Sequence, residues 1–389
     1  TTGELIEKLE DAQMQLGSMA TNRYSAPFKS KVNDWITKLS TVSEIVEMWL
    51  IVQNMYVYME AVFSGGDIVK QLPAEAKRFN NIDKQFMRVV GNAGDIKNVV
   101  EVCYENDQMQ QTLPYLTEQL ELCQKSLTAF LDTKRAQFPR FYFVSDPTLL
   151  EILSLGSDPP SVTPHFQSGL FDSLTEVTFD RQDKTKMLEM FSQQKECVKF
   201  VKENDGVLDP NPVMAVGNIE TWLQALVEGM QESIRSIIKM ANEAVFEKEL
   251  EEFIFGFPAQ IALLGIQFLW TNDMQTALTG AKKDKTMMLK AFKKQETLLK
   301  EMIVITTRPD LDKNDRKNLE TVITVHVHQR DTSEELLKKR VKDPADFEWM
   351  KQCRFYWRNE LNTVIISICD VDFEYSYEYL GVKERLVIT

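Results

Sequence analysis

Apolar residues recur at intervals of three and four along much of this chain, and this spacing constrains its fold more than any other feature. Residues at such intervals align on one face of an α-helix, so each stripe predicts an amphipathic helix with a buried side. Only 15 glycines and 13 prolines interrupt 389 residues, which also favours long helices. The two clearest stripes are Trp35, Leu39, Val42, Val46, Trp49, Val52, Tyr56 and Met59, and Leu113, Leu116, Leu120, Cys123, Leu127 and Phe130.

The breaks between these stripes indicate how the first third is organised. Ser64–Gly65–Gly66 predicts the end of the first long helix, because glycine tolerates the left-handed conformation of a helix C-terminus. Asn92–Asp95 predicts a loop between helices. Since long helices with one apolar face must pack on each other, residues 1–135 are expected to form an antiparallel bundle.

Residues 136–215 are expected to form a mixed middle subdomain. The aromatic run from Phe138 to Val144 predicts a short buried strand or extended segment. Asp146–Pro147 then predicts a helix start, because aspartate caps free amides and proline fits the first turn. Three short apolar segments between residues 174 and 202 predict a small antiparallel meander.

A subdomain boundary is expected after this meander, where Asp205–Gly206, Pro210 and Pro212 follow one another closely. Residues 216–340 return to the helical pattern, and Asn218 is expected to cap the first helix of this subdomain. Its apolar stripe comprises Ile219, Trp222, Leu226, Met230, Ile234, Ile237 and Ala241.

The last subdomain, residues 341–389, is predicted to contain a helix and strands. Asp343–Pro344 predicts a helix start by the same capping argument. Apolar and polar residues then alternate with period two, which predicts a half-buried strand whose apolar face comprises Val371, Phe373, Tyr375, Tyr377 and Tyr379. The fold class expected is mainly α: an elongated series of helical bundles with small antiparallel β elements in the middle and at the C-terminus.

Charge and composition exclude several classes of function. The 45 basic and 58 acidic side chains give a formal charge of −13, which repels phosphate backbones and argues against nucleic-acid binding. The most apolar run, Ile261–Trp270, is too short to span a bilayer, so no membrane partner is expected. The five cysteines are scattered without a C-x-x-C pair, which indicates reduced thiols in a cytosolic protein.

No constellation of residues indicates catalysis. His326 and His328 are two apart, which would place them on one face of a strand but on different sides of a helix. No third ligand lies nearby, so no metal site is expected. Nucleophile and dinucleotide-binding motifs are also missing from the sequence. The residues alone therefore indicate a scaffold, an adaptor or a mechanical element.

Two charged segments leave alternatives open. Residues 281–300 carry seven lysines against Asp284 and Glu296, and residues 243–252 carry five glutamates against Lys248. Opposed faces of neighbouring helices would explain this pattern most simply. A docking surface for a charged partner is the alternative.

Several motifs, in a fixed order, resemble the linker of dynein heavy chains. The run from Lys134 through Phe138, Pro139, Arg140, Phe141, Tyr142 and Phe143 to Ser145 resembles the signature of that family, and the continuation Leu149–Ser154 extends it. The further matching motifs are Gly217–Leu223, Pro258–Ile261 through Trp270–Thr271, His328–Asp331, Tyr377–Gly381 and Arg385–Thr389. Gly65–Ile68 and Gln71–Phe79 are most similar to axonemal outer-arm heavy chains of the gamma type.

The resemblance implies a lever that bends and straightens across a ring of six ATPase modules and so produces movement along microtubules. Such a lever needs one compliant joint, for which the stretch from Asp205 to Gly217 is the candidate. It implies no catalytic residue, cofactor or metal in this segment, with ATP and Mg²⁺ bound by the ring of the parent motor. The partners implied are that ring, microtubules through the parent motor, and other dynein chains, in the cytoplasm and cytoskeleton of the ciliary or flagellar axoneme. The alternative is a static helical scaffold that binds dynein or axonemal subunits.

The resemblance also implies roles for particular residues. Leu386, Val387, Ile388 and Thr389 would lie near the nucleotide pocket of the first ATPase module. The chain would be a piece of a longer protein that continues into that module. The expected mechanical core comprises Phe138, Pro139, Arg140, Phe141, Tyr142, Phe143, Trp222, His328, Arg330, Asp331 and Tyr379.

Overall fold

The computed structural model describes residues 2–63 and 67–382 and divides the chain into two compact units. Over these residues it contains fourteen α-helices and nine short strands, which confirms a mainly α fold with small antiparallel sheets in the middle and at the C-terminus. The elongated shape and the four predicted subdomains stay predictions. Unit 1 comprises residues 1–137 and 145–155, and unit 2 comprises residues 138–144 and 156–389.

Unit 1 is built from helices. Helices α2, α4 and α6 pack on one another, α1 lies along α2, and α3 contacts α7. Both predicted stripes lie in long helices, α2 and α6, and most of their residues are buried, but Trp35 is 46% exposed. The helices are α1 (Thr2–Thr21), α2 (Lys29–Phe63), α3 (Asp67–Gln71), α4 (Pro73–Ile96), α5 (Val99–Cys103), α6 (Asp107–Gln137) and α7 (Asp146–Ser154).

An aromatic cluster joins α2 to α4 in the core of unit 1. The ring of Tyr56 stacks on Phe86 with 4.3 Å between centroids and on Phe79 with 5.6 Å. The Tyr56 hydroxyl donates a hydrogen bond of 2.6 Å to Asp83, and burial together with this carboxylate raises the pKa of Tyr56. The pair gives the polar end of a buried tyrosine a partner.

Two predictions for unit 1 have different outcomes. The predicted helix start at Asp146–Pro147 is confirmed, since α7 begins at Asp146. The predicted loop at Asn92–Asp95 is wrong, because α4 continues through it to Ile96 and ends where Lys97 adopts φ 62°. The predicted stop at Ser64–Gly66 lies outside the described residues.

Unit 2 begins with the motif Phe138–Phe143, and its predicted strand is wrong. Residues Pro139–Phe143 form a 3-10 helix in which Phe138 and Phe141 are buried with their rings edge to face, 5.0 Å apart. Their spacing of three matches one turn of this helix, and Pro139 begins it because its fixed φ and missing N–H suit the first position. Tyr142 and Phe143 point to solvent, at 64% and 78% exposure.

The predicted meander is confirmed. After α8 (Pro159–Val162) and a 3-10 helix (Thr163–Ser168), strands β1 (Leu174–Phe179), β2 (Lys186–Ser192) and β3 (Cys197–Lys199) pair antiparallel in that order. The short strand β6 (Val213–Met214) pairs with β2 from the other side.

The punctuated stretch after the meander is a hairpin. Strands β4 (Val201–Asn204) and β5 (Val207–Pro210) pair antiparallel around Asp205–Gly206, which both have positive φ, 48° and 81°. Positive φ at both central residues is the signature of the tight hairpin turn that matches strand twist. The hairpin packs on the following helix, α9 (Ile219–Glu247). Asn218 occupies the N-cap position as predicted, but its side chain makes no capping hydrogen bond.

The helices of unit 2 enclose a hydrophobic core cluster. Helices α11, α12, α13 and α14 meet around Trp270 and Trp349, whose ring centroids are 5.4 Å apart. Both indole N–H groups are satisfied, by Ser333 and by Gln275. The helices are α10 (Leu250–Gly256), α11 (Ala259–Gly280), α12 (Met287–Thr306), α13 (Lys313–Lys338) and α14 (Phe347–Met350).

The C-terminal region forms a three-stranded antiparallel sheet of β7 (Arg354–Arg358), β8 (Thr363–Ile368) and β9 (Val371–Glu374). The predicted helix start at Asp343–Pro344 is wrong, because α14 begins at Phe347 and is capped by the side chain of Asp346. The predicted strand to Tyr379 is also only partly correct. Pairing stops at Glu374, Val371 and Phe373 are exposed, and Tyr377 adopts φ 58°, which ends the extended conformation.

Candidate functional site: the C-terminal strap

Residues 375–382, here called the strap, leave β9 and lie across unit 2 without helix or strand structure. Two positive φ angles, at Tyr377 and Gly381, shape this path. Tyr377, Tyr379 and Val382 are buried, although the backbone of the strap is not paired with any β-strand. An irregular buried segment needs partners for its backbone polar groups, so the side chains that supply them define the site.

An ion pair between Arg140 and Glu378 holds one side of the strap. The guanidinium donates two hydrogen bonds to the carboxylate, of 2.9 and 2.6 Å, and a third of 3.1 Å to the carbonyl of Leu170. It also lies 5.0 Å above the centroid of Phe171. Both charged side chains are at most a quarter exposed, and a paired fork geometry of this kind is stronger and more directional than a single contact.

Gln260, in the first turn of α11, holds the other side. Its amide nitrogen donates to the hydroxyl of Tyr375 at 2.6 Å and to the carbonyl of Glu378 at 2.8 Å. Its amide oxygen accepts the N–H of Leu380 at 2.8 Å. The buried side chain of Gln260 therefore replaces the strand that the strap lacks, because it satisfies both a donor and an acceptor of its backbone.

Tyr379 connects the strap to the meander. Its hydroxyl donates to the carboxylate of Glu196 at 2.8 Å, and the other oxygen of Glu196 accepts the N–H of Ala259 at 2.7 Å. Burial and the Glu196 carboxylate raise the pKa of Tyr379, so its hydroxyl stays protonated and donating. One carboxylate thus joins the strap to the first residue of α11, where the helix dipole favours negative charge.

Tyr377 and Ser376 connect the strap to the C-terminal sheet and to α9. The hydroxyl of Tyr377 accepts the N–H of Val364 at 2.8 Å and lies 2.8 Å from the hydroxyl of Thr363. The guanidinium of Arg235 lies 4.7 Å from the Tyr377 ring centroid, and Gln231 donates to the carbonyl of Ser376. The strap therefore contacts α9, α11, the meander and the C-terminal sheet at once.

Gly381 closes the site against the meander. At φ 55° it adopts a conformation that favours glycine, and a Cβ atom at this position would lie 2.6 Å from Cβ of Ser192. A cavity of about 240 Å³ adjoins this end of the strap, lined by side chains of α11 and α13 and by Leu380 and Val382. The close approach fixes the strap at the point where the described residues end.

The predicted mechanical core falls into separate places in the structure. Arg140 and Tyr379 meet at the strap, whereas Tyr142 and Phe143 face solvent and Pro139 is exposed. Trp222 is buried in α9, and its indole N–H has no hydrogen-bond partner among the described residues. Leu386, Val387, Ile388 and Thr389 lie outside the described residues, so their predicted place near a nucleotide pocket stays a prediction.

The residues His328, Arg330 and Asp331 lie on α13, away from the strap. His328 is exposed, and Arg330 pairs with the adjacent Asp331 at 2.7 Å. His326, in contrast, is buried between α12 and α13. Its Nε2 lies 3.0 Å from the carbonyl oxygen of Gln295, and its Nδ1 lies 3.2 Å from the side-chain amide oxygen of Gln329. The two histidines thus fall on different sides of the helix, as their spacing predicts.

Sequence reasoning missed Gln260, Glu378, Glu196 and Arg235 as site residues. Gln260 and Glu378 belong to motifs that carry the family resemblance, so motif membership was the available signal. Glu196 and Arg235 belong to none of these motifs, and no local signal singles them out.

Within residues 2–63 and 67–382, no group of three or more histidine, cysteine, aspartate or glutamate side chains is arranged to hold a metal ion. No helix of the same residues combines the length and apolarity needed to cross a bilayer. What the strap residues provide chemically is a dense set of directed hydrogen bonds and one ion pair joined by two hydrogen bonds.

Comparison with known proteins finds related sequences along the whole chain. The family model described as "Dynein heavy chain, N-terminal region 2" matches residues 1–241. The chain is 64% identical over 388 residues to the dynein gamma chain of the flagellar outer arm of Chlamydomonas reinhardtii, and 48% identical over 390 residues to human dynein axonemal heavy chain 8. It is also 35% identical over 391 residues to a ciliary dynein beta chain of Heliocidaris crassispina.

These alignments cover 99–100% of the chain but 8% of each relative, so the chain corresponds to a small part of a much longer type of protein. Both the match to the family model and the identity along the whole chain point to the same group. The chain belongs to the dynein heavy-chain family.

Proposed function

We propose that this chain is the mechanical linker of an axonemal dynein heavy chain, a lever that bends and straightens across the ATPase ring and so produces the power stroke in microtubule-based ciliary movement. The ATP and Mg²⁺ used in that cycle bind to ring modules outside this segment, which itself carries no catalytic residue. Its partners are the chain's own ring, other dynein chains and, through the whole motor, microtubules. Its location is the axoneme, where the names of its relatives place them.

The observation that carries this proposal is the attachment of the strap. A lever must receive displacement at one place and pass it to a rigid body without slack. The Arg140–Glu378 pair, the three hydrogen bonds of Gln260 and the Tyr379–Glu196 bond fix the strap to unit 2 directly before residues 383–389. In the family that this chain belongs to, the residues beyond the strap would lie beside the first nucleotide pocket, so movement there would reach unit 2 directly.

A static scaffold is the second candidate, and one observation favours it. The exposed aromatic pair Tyr142 and Phe143 offers a surface that a stationary subunit could bind. The two functions differ in one respect: the contacts of a lever change between nucleotide states, whereas those of a scaffold do not.

A distance measurement in the intact motor separates them. Site-specific fluorophores at the exposed positions Ser18 and Asp370 would report on the two units while ADP, ATP and a transition-state analogue are exchanged. A lever gives energy-transfer efficiencies that differ between nucleotide states. Efficiencies that stay constant through the cycle would favour the scaffold.

A second measurement tests the strap itself. In the intact motor, Arg140→Ala should slow microtubule gliding while ATP turnover continues, because the ring would still cycle against a loosened attachment. Arg181→Ala removes an exposed arginine that has no side-chain partner among the described residues and should leave gliding unchanged. Equal gliding velocities for the two variants would show that the Arg140 contact of the strap does not transmit force.

A further inference from the structure

The lysine-rich and glutamate-rich segments of unit 2 do not neutralise each other. Lys282, Lys290 and Lys294 pair with Asp343, Asp284 and Asp273 respectively, none of which lies in the segment 243–252. Of that acidic segment, Glu252 pairs with Lys248 and Glu251 pairs with Arg308. The two segments therefore do not pair with each other, although Lys294 of α12 and Asp273 of α11 do form an ion pair between neighbouring helices.

Four lysines of this region are left over. Lys283, Lys285, Lys293 and Lys300 are exposed, and their side chains make no hydrogen bond or ion pair within residues 2–63 and 67–382. The chain carries an overall charge of −13, so a local excess of positive charge stands out against the rest of its surface.

The outward face of α12 places two of these lysines in line with apolar side chains. At about 100° per residue, Leu289, Lys293, Lys300 and Val304 fall within about 60° of each other around the helix. Leu289 and Val304 are both exposed, as is the adjacent Ile303. The opposite side of the helix is buried and comprises Met288, Ala291, Gln295, Leu299, Met302 and Ile305.

The loop before α12 is held in place by Asp284. Its carboxylate accepts hydrogen bonds from the N–H and the hydroxyl of Thr286, at 2.8 and 2.7 Å, and from Lys290. These donors lower the pKa of Asp284 to about 2, so the carboxylate stays charged and the turn stays formed at neutral pH. Lys283 and Lys285 flank this aspartate and are therefore presented at the N-terminal end of the helix.

Helix stability alone gives no reason for this arrangement. The N-terminus of an α-helix carries partial positive charge, so lysines beside it are unfavourable and acidic residues would stabilise it. The exposed leucine, isoleucine and valine side chains on the same face also add nothing to the stability of the fold, because they are not buried. Positive charge and apolar side chains on one helix face are together what an acidic amphipathic partner recognises.

We propose that the outward face of α12 and the loop at residues 281–286 form a docking surface for an acidic amphipathic helix of another polypeptide. Carboxylates of that helix would pair with Lys283, Lys285, Lys293 and Lys300, and its apolar residues would cover Leu289, Ile303 and Val304. Nucleic acid fits less well, because the overall negative charge of the chain repels it. The proposal does not depend on the lever function.

The test uses the whole 389-residue chain and a defined probe. The probe is a fluorescein-labelled helical peptide of about five turns, with leucine at every third or fourth position and glutamate elsewhere. Fluorescence anisotropy should show binding that weakens as salt is raised, because exposed ion pairs are screened. A peptide with serine in place of leucine should bind more weakly, and one with lysine in place of glutamate should not bind.

The decisive variant is K283E/K285E/K293E/K300E, matched to the control K29E/K31E/K125E/K184E. The control lysines are also exposed without side-chain partners among the described residues, and both variants change the net charge equally. The first should lower the affinity for the glutamate–leucine peptide by about tenfold or more, and the control by less than about threefold. Circular dichroism melting of both variants checks that each is folded.

Leu289→Ser with Val304→Ser should also weaken binding, with no change in its salt dependence. Three results would overturn the proposal: no binding of the glutamate–leucine peptide to the unchanged chain, equal loss of affinity in both lysine variants, or tighter binding of a single-stranded oligonucleotide or of phosphatidylserine vesicles than of the peptide.

Discussion

Helix α2 of unit 1 and helix α9 of unit 2 are both long, but they stabilise their surroundings in different ways. Of the 35 residues of α2, eight are buried and seven of these are apolar or sulfur-containing. Of the 29 residues of α9, fourteen are buried, and they include Glu220, Ser233 and Ser236. Unit 1 therefore relies on one apolar helix face, whereas unit 2 adds directed hydrogen bonds from buried polar groups.

This contrast indicates which contacts make parts of the chain stiff. Apolar contacts are not directional and let helices slide by small amounts, whereas buried hydrogen bonds fix a register because a misplaced partner leaves a group unsatisfied. The strap is the clearest case, since its path is set by polar side chains of five elements: the 3-10 helix that carries Arg140, α9, α11, the meander and the C-terminal sheet. Substitutions that remove a matched contact from each unit test this comparison.

The largest effect is expected for Trp222→Ala compared with Trp35→Ala. Trp222 is 1% exposed, and its removal should lower the free energy of unfolding by about 3–5 kcal/mol. Trp35 is 46% exposed, so its replacement by alanine should lower the free energy of unfolding by less than about 1 kcal/mol. Urea unfolding followed by circular dichroism measures both, and similar losses would mean that the two helices bury their tryptophans equally.

The next effect concerns glutamine hydrogen bonds. Gln260→Met keeps the approximate side-chain volume but leaves the N–H of Leu380 and the carbonyl of Glu378 without their partner. It should therefore lower the free energy of unfolding by about 2–3 kcal/mol. Gln13→Met in unit 1 removes one part-buried bond to the Leu39 carbonyl and should cost about 1 kcal/mol or less. Hydrogen exchange should accelerate in the strap for the first variant alone; unchanged exchange there would show that Gln260 does not hold it.

A smaller effect is expected for the arginine pairs. A double-mutant cycle on Arg140 and Glu378, both at most a quarter exposed and joined by two bonds, should give a coupling energy of about 1 kcal/mol. The cycle on Arg135 and Asp146 in unit 1 involves an aspartate that is 54% exposed and should give about 0.5 kcal/mol or less. Equal coupling in the two cycles would contradict a special role for the strap pair.

The smallest effect is a dependence of stability on pH that belongs to unit 2. Burial lowers the pKa of His326 below its ordinary value of 6.5, so the unfolded chain binds this proton more readily than the folded chain. The stability that the neutral His326 provides is therefore fully present above pH 6.5 and is lost as the pH falls below this value. The free energy of unfolding should fall by at most about 1.4 kcal/mol for each pH unit. The difference in unfolding free energy between the chain and His326→Gln should shrink on acidification; a difference that grows would reverse the sign.

Sequence periodicity predicted the helices well, because long amphipathic stripes have few alternative structures. Periodicity failed for short aromatic runs, because their spacing fits both a helical turn and a β-strand. Phe138 and Phe141 satisfy the spacing of a 3-10 turn as well as a place in a strand, and the missing N–H of Pro139 decides for the turn. The alternation from Val371 to Tyr379 predicts a strand, but hydrogen bonds from Gln260 and Val364 draw the last tyrosines inwards instead.

The strap could be predicted only in part for a related reason. Arg140 and Tyr379 came from family motifs, but the partner of Arg140 lies 238 residues further along the chain. No local pattern encodes a contact over that separation, and Glu196 does not differ in its own segment from an ordinary polar residue. Tertiary hydrogen bonds between distant segments are therefore the part of the site that only the structure supplies.

The hairpin of β4 and β5 has a consequence for where this chain can bend. Its backbone N–H groups at Val201 and Glu203 donate to the hydroxyls of Ser233 and Ser236, and Glu203 pairs with Lys239. These three contacts hold the hairpin against about 9 Å of a helix about 43 Å long. Strand β4 is thus splinted to α9 directly before the turn at Asp205–Gly206, so any bending of this stretch has to start beyond β4. The role of Asp205–Gly217 as a compliant joint stays a prediction.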